Sequence, residues 1–216
     1  MSEYTERASG ELVQPIILLV DKADPASHAE GVAAAALASV QAFLGDLDNP
    51  DWQAWAAGAF AKTVRRADVN PFAKMLAAHP DHALAEVGKG RAAGLGPMPA
   101  DGLPKPLAKL QVSGTQLPAG PPLPDAPVTI ALNASLDMST GKAAAQAAHA
   151  LFAWLLQADP ATVRAWRAAG CPLSVRDLVR RDFRAGARAA AGPVIQDAGR
   201  TEIAPGSATA YVVVTL

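Results

Sequence analysis

Two stretches of the chain hold residue types that can do chemistry, at spacings that can bring them together. In STGKAAAQAAHA, Lys142, Gln146 and His149 recur at i, i+4 and i+7, so they share one narrow stripe of a helix. Lys142 falls in the first turn, just behind Gly141, where a cation opposes the helix dipole. Such a cation can bind an anion together with the unpaired N–H groups of the helix start. The competing reading is a polar, solvated helix face. In VIQDAGRTEIAPGSATAYVVVTL, Asp197 ends an apolar run, Gly199 permits a close approach of backbone, and Arg200, Thr201 and Thr209 follow. A hairpin would fold Thr209 back beside the first strand, so that an acid and two hydroxyls converge. The competing reading is turn chemistry, with Asp and Thr bonding nearby backbone N–H groups.

Other stretches offer less. His79 and His82 in HPDH lack a Cys or a third ligand, which makes a poor metal site. GKGRAAGLG lacks the Gly-Lys-Ser/Thr ending of a phosphate-binding loop. Cys171 is a single cysteine beside Pro172 and reads as a small apolar residue.

The elements that would position these residues alternate. PIILLV reads as a buried strand and ASHAEGVAAAALASVQAFL as a helix; VTIAL is again a strand, and STGKAAAQAAHALFAWLLQ a helix that Ser139 or Thr140 can cap. WQAWAAG pairs with VRAWRAAG, and AEVGKG with QDAGRT, all at a separation of about 111 to 113 residues, which reads as an internal duplication. Each half runs strand, helix, short helix, strand, helix, strand, and the second half adds a final strand. CPLSVRDL reads as an inner strand and RRDFRAGARAAAG as a helix ended by Gly192. The Pro- and Gly-rich stretch 94–127 separates the halves, with LAKLQVSGTQL at its centre as a short strand. The expected fold class is therefore α/β: two similar three-layer domains with mixed sheets, the first a degenerate copy of the second. The boundaries are 1–118, a linker over 119–127, and 128–216.

With 216 residues, 50% of them apolar and 18% charged, a buried core is expected and global disorder is not. No apolar run is long enough to span a membrane, the start lacks the pattern of a secretory signal, and the lone cysteine cannot form an internal disulfide, which together point to the cytosol. The net charge of −1 conceals an asymmetry: residues 1–127 hold 14 acidic and 10 basic side chains, residues 128–216 hold 6 and 9. The basic half is rich in arginine, including Arg180 and Arg181. That suits phosphate contacts, and equally suits solvated helix faces.

Taken together, MSTGKAAAQAAHA and QDAGRTEIAPGSAT resemble the type 2, archaeal and eukaryotic-type, peptidyl-tRNA hydrolase family. The resemblance covers residues 128–216, and the first half looks like the extra part of a two-domain actinobacterial branch. It implies hydrolysis of the ester between a peptide and the 3′ ribose of tRNA, with no metal and no cofactor. It carries Lys142, Asp197, Thr201 and Thr209 over as catalytic positions, and Gln146 and His149 as supporting or tRNA-contacting ones. An ester attacked by water needs a base or water-positioning group, for which Asp197 is the candidate, and a donor to the oxyanion, for which Lys142 or the threonines serve. Arg200, Arg180 and Arg181 would meet the tRNA. Lys62, Arg65 and Arg66 of KTVRRAD would extend that surface from the first half. Asn133, Ser135 and Glu202 depart from the family pattern and bear on substrate affinity. The alternative is an inactive relative that binds RNA or peptide. By the resemblance, the fused halves would stand in for the two subunits of a dimer.

Overall fold

The computed structural model describes residues 11–199 and 202–215. Its first unit runs β1 (Leu12–Leu19), α1 (His28–Gly45), α2 (Pro50–Ala57), β2 (Ala61–Ala67), α3 (Val69–Ala78), β3 (Ala83–Val87), β4 (Gly90–Gly94), the two-residue β5 (Met98–Pro99) and α4 (Lys105–Ala108). The second runs β6 (Val128–Asn133), α5 (Thr140–Gln157), α6 (Pro160–Ala168), β7 (Leu173–Leu178), α7 (Arg180–Gly186), the two-residue β8 (Ile195–Gln196) and β9 (Ala208–Val214).

The sheets have matching orders, β2-β1-β4-β3 and β7-β6-β9-β8, with β5 appended to β1. In each, the first two strands of the unit pair in parallel and the other pairings are antiparallel. Both are mixed α/β sheets covered on two faces. Ile16 and Leu18 of β1 point to one core, and Ile17 and Leu19 point to another under Phe72, Met75 and Leu107. Ile130 and Leu132 of β6 likewise join the first core, while Ala131 packs with Phe183 and Tyr211 on the far face. Smaller features repeat too. Trp55 Nε1 donates to the Ala61 carbonyl (2.8 Å) and Trp166 Nε1 to that of Pro172 (2.9 Å), six residues on in both cases. Phe60 and Cys171, each five residues after its tryptophan, have left-handed φ values of 35° and 56°.

The largest core is continuous across both units, because α1 and α5 lie side by side between the sheets. His28 Nδ1 meets Thr140 Oγ1 (3.0 Å) where the two helices begin, and Phe43 packs on Phe152 (5.0 Å) farther along, so they run in the same direction. Their alanines suit this position. A helix that is apolar all round must be covered all round, and a methyl group lets sheet and neighbouring helix approach closely. Gly94 of β4 abuts the Ala38 backbone, where no side chain would fit.

Four expectations are corrected. The first unit also has a final strand, β4, which small residues (GRAAG) concealed. Gln111 makes a single bridge to Arg66, and no strand forms over LAKLQVSGTQL. CPLSVRDL becomes β7 at the edge of its sheet. The helix expected to reach Gly192 ends at Gly186, with one 3-10 turn to Ala189.

Candidate active site

Capping of α5 sets the site. Ser139 is its N-cap and accepts from the Lys142 N–H (3.2 Å). In α1 the corresponding Ser27 is served by a capping box: the third helical residue, Glu30, returns its carboxylate to the Ser27 N–H (2.7 Å). The third residue of α5 is Lys142, which cannot do this. Glu202 does it from a distance, accepting from the Ser139 N–H (3.0 Å) and hydroxyl (2.7 Å). The charge of Glu202, read from sequence as bearing on substrate affinity, is thus bound to the start of α5.

The proposed anion site at the helix end is also corrected. The Thr140 N–H donates to Gln116 Oε1 (3.3 Å) and the Gly141 N–H to the Thr115 carbonyl (3.2 Å). The same strap takes the Thr140 hydroxyl at the Leu117 N–H (2.9 Å) and the His28 N–H at the Pro118 carbonyl (2.7 Å). The segment before the linker therefore joins both helix starts.

With its backbone satisfied, Lys142 turns its ammonium to Asp197 Oδ2, and the two side chains are only 12% and 3% exposed. Gln146, one turn on, donates to the same Oδ2 (2.7 Å). The Gly199 N–H, presented by a left-handed φ of 73°, donates to Oδ1 (2.7 Å). Backbone bonds to Ser207 (2.9 Å) and Gly206 (2.7 Å) hold Asp197 in the loop after β8. On the other side of Gln146, Thr209 Oγ1 lies 2.9 Å from Oε1 and 3.1 Å from the Ile195 carbonyl. Thr209 is fully buried, and Gln146 links it to Asp197. The hairpin does bring the acid and this hydroxyl together. Arg200 and Thr201 lie outside the described residues.

The stripe of Lys142, Gln146 and His149 faces a pocket of about 470 Å³ between the units, where a solvated face was the competing reading. Its opposite wall is Phe60, Lys62 and Val64, at the start of β2. Phe60 packs on the His149 ring (5.5 Å). The Lys62 ammonium sits over the rings of Trp55 (4.2 Å), Phe152 (4.5 Å) and Phe60 (4.8 Å) and donates to the Phe60 carbonyl (3.2 Å). Burial pushes its pKa well below the ordinary lysine value. Burial, then Lys62 and Lys142, push that of His149 well below the ordinary histidine value.

Other candidates fall elsewhere. Arg65 spends its guanidinium on the carbonyls of Leu107, Ala108 and Leu110. Arg66 stands next to it, partly exposed. Arg180 and Arg181 are exposed, and the Arg180 N–H is fixed by Ser135 Oγ (2.9 Å), at the end of the sheet from which α5 starts. Asn133 bridges the Ala208 carbonyl (3.0 Å) and the Ser135 N–H (3.2 Å). Asn133 and Ser135, like Glu202, thus have structural partners. Among the described residues no three His, Cys, Asp or Glu side chains group as metal ligands. No described helix is long and apolar enough to cross a membrane.

Residues 127–215 match the family model Peptidyl-tRNA hydrolase PTH2. No curated protein and no solved structure was found to match. The matched segment holds Lys142, Gln146, His149, Asp197 and Thr209, and it does not include the opposite wall of the pocket. Sequence reading singled out Lys62 as a tRNA contact; it missed Phe60, the aromatic box around Lys62 and the strap at Thr115–Gln116. One signal was legible: Ser139 has a lysine where a capping box needs an acid, so no local capping box can form there.

Proposed function

We propose that the chain is a peptidyl-tRNA hydrolase that cleaves the ester between a peptide and the 3′ ribose of tRNA, in the cytoplasm and without metal or cofactor. The buried Lys142–Asp197 pair at the edge of a pocket, inside the segment that matches PTH2, carries this reading. A carboxylate offers about four acceptor sites, and Lys142, Gln146 and Gly199 converge on three of them. A water held at Asp197 attacks the carbonyl carbon and gives up a proton to the carboxylate. The Lys142 ammonium stabilises the oxyanion that forms. As the intermediate collapses, the bond from the carbonyl carbon to the ribose O3′ breaks. The proton passes to O3′, leaving a free peptide and tRNA. Gln146 and Thr209 act as positioning residues for the pair. Thr201 serves as a further catalytic position, Arg200 and His149 contact the substrate, and Arg180, Arg181 and Arg66 meet tRNA phosphates.

The halves arose by internal duplication, with domains over 1–118 and 128–216 and a linker over 119–127. The first copy is catalytically dead. It has Glu30 where the second has Lys142, and the pocket against Glu30, Val87 and Gly88 is bordered by Pro121, Pro122 and Leu123 of the linker. The two copies form a pseudo-dimer within one monomer. The test is incubation of the purified chain with peptidyl-tRNA in the presence of a chelator. Release of peptide with intact tRNA is expected, and an ester that survives at stoichiometric protein overturns the reading.

A further inference from the structure

The two units place equivalent segments at equivalent positions, so each residue can be compared with its counterpart. Trp55 and Trp166 fix the alignment through their matching bonds, and Phe60 and Cys171 through their matching left-handed backbone. Two residues after these stand Lys62 and Leu173. Leu173 is buried in the core at 8% exposure. An aliphatic side chain therefore satisfies this position in the fold. A lysine in the same place is half-buried, with its charge partly withdrawn from water, and the fold does not require it. The left-handed turn at Phe60 is common to both units, so it belongs to the architecture and not to the site. The substitution of lysine for leucine is confined to the copy that walls the pocket.

The neighbourhood of Lys62 holds a cation in the wall of the pocket. Three ring faces and the Phe60 carbonyl hold the ammonium. They favour its charged form, while burial opposes it. Lys142, the other cation lining the pocket among the described residues, is engaged with Asp197. Three acids also line it: Asp197 and Glu202 have the partners already described, and Glu11 stands at its rim. Burial, and then the two lysines, disfavour the charged form of His149. The ester is neutral and the peptide varies, so the anions common to every peptidyl-tRNA are its phosphates.

We infer that Lys62, supplied by the first unit, is a substrate-positioning residue that holds the phosphate of the tRNA's terminal nucleotide while its 3′ ester lies at Lys142 and Asp197. The inference rests on the hydrolase reading for the identity of the substrate. It gives the first unit a part in the site, as the owner of one wall.

The test uses the full-length chain and its Lys62→Leu and Lys62→Arg variants. Leucine is the residue the second unit already accommodates, so Lys62→Leu is expected to melt no lower than wild type. Calorimetric binding of adenosine 5′-monophosphate is compared with that of adenosine. In the wild type the phosphate should tighten binding roughly tenfold, as a charge-assisted hydrogen bond does. Lys62→Leu should abolish that preference and Lys62→Arg keep most of it. With peptidyl-tRNA, Lys62→Leu should raise KM by a similar factor and leave kcat nearly unchanged, the mark of lost uniform binding. A wild type indifferent to the phosphate, or a Lys62→Leu variant that retains the preference, overturns the inference. A Lys62-dependent preference in a protein that releases no peptide would leave the phosphate site standing and remove the hydrolase reading.

Discussion

Glu30 and Lys142 occupy the same place in two equivalent helices, third in the first turn after Ser27 and Ser139, with opposite charges. In α1 the acid closes a capping box. In α5 the cation is released to Asp197, and the capping carboxylate comes from Glu202. The same backbone geometry thus yields a structural cap in one unit and an ion pair facing a pocket in the other.

Glu30→Ala should cost about 1 kcal/mol of stability through the lost cap. It should leave peptide release unchanged, since Glu30 borders the other pocket. Denaturant unfolding together with turnover checks both halves of this expectation.

Asp197→Asn should lower turnover by a factor on the order of 10²–10⁴ through loss of the base. Lys142→Ala should act similarly, by removing the oxyanion donor and leaving the buried Asp197 without its cation. Single-turnover release from peptidyl-tRNA measures this, and near-native rates in both variants would contradict the assignment.

Gln146→Leu should lower kcat by roughly tenfold or more and destabilise the fold by about 1–3 kcal/mol, because Asp197 Oδ2 and Thr209 Oγ1 both lose a buried partner. Thr209→Val should show a weaker effect of the same kind. If the kcat losses of the two single variants simply added in the double variant, the chain from Thr209 to Asp197 would not act as a unit.

Arg180→Glu with Arg181→Glu should weaken tRNA binding and flatten its salt dependence by about two units of slope. Cleavage of a minimal ester that lacks the tRNA body should survive. Salt titration of tRNA affinity in both proteins provides the check.

Lys62 and His149 both have native pKa values below their ordinary ones, burial being the first cause. Between the lowered and the ordinary value the unfolded chain binds a proton that the native chain does not, so stability rises with pH through each window. For His149 the loss appears as pH falls below 6.5, at no more than about 1.4 kcal/mol per pH unit, and His149→Gln should remove it. For Lys62 the penalty is present at neutral pH. Lys62→Leu should therefore unfold later than wild type at pH 7, with the gain shrinking toward pH 10.5. Urea unfolding at a series of pH values reads both.

Alternation of apolar runs, caps and turns in the sequence determined the α/β class, both long helices, the terminal hairpin and the residue types at the site. These depend on local chemistry: Ser139 caps α5 whatever surrounds it, and an apolar strand ending in Asp197 and Gly199 must turn there. Tertiary structure alone decided what covers each face. The period of Lys142, Gln146 and His149 identifies a stripe and does not say whether water or β2 lies opposite. That depended on α1 and α5 meeting between two sheets, a contact between residues 112 apart in the case of His28 and Thr140. For the same reason Glu202, remote in sequence from Ser139, became its cap. Lys62, one charge in a basic run by sequence, entered an aromatic box because the chain folds Trp55, Phe60 and the distant Phe152 around it.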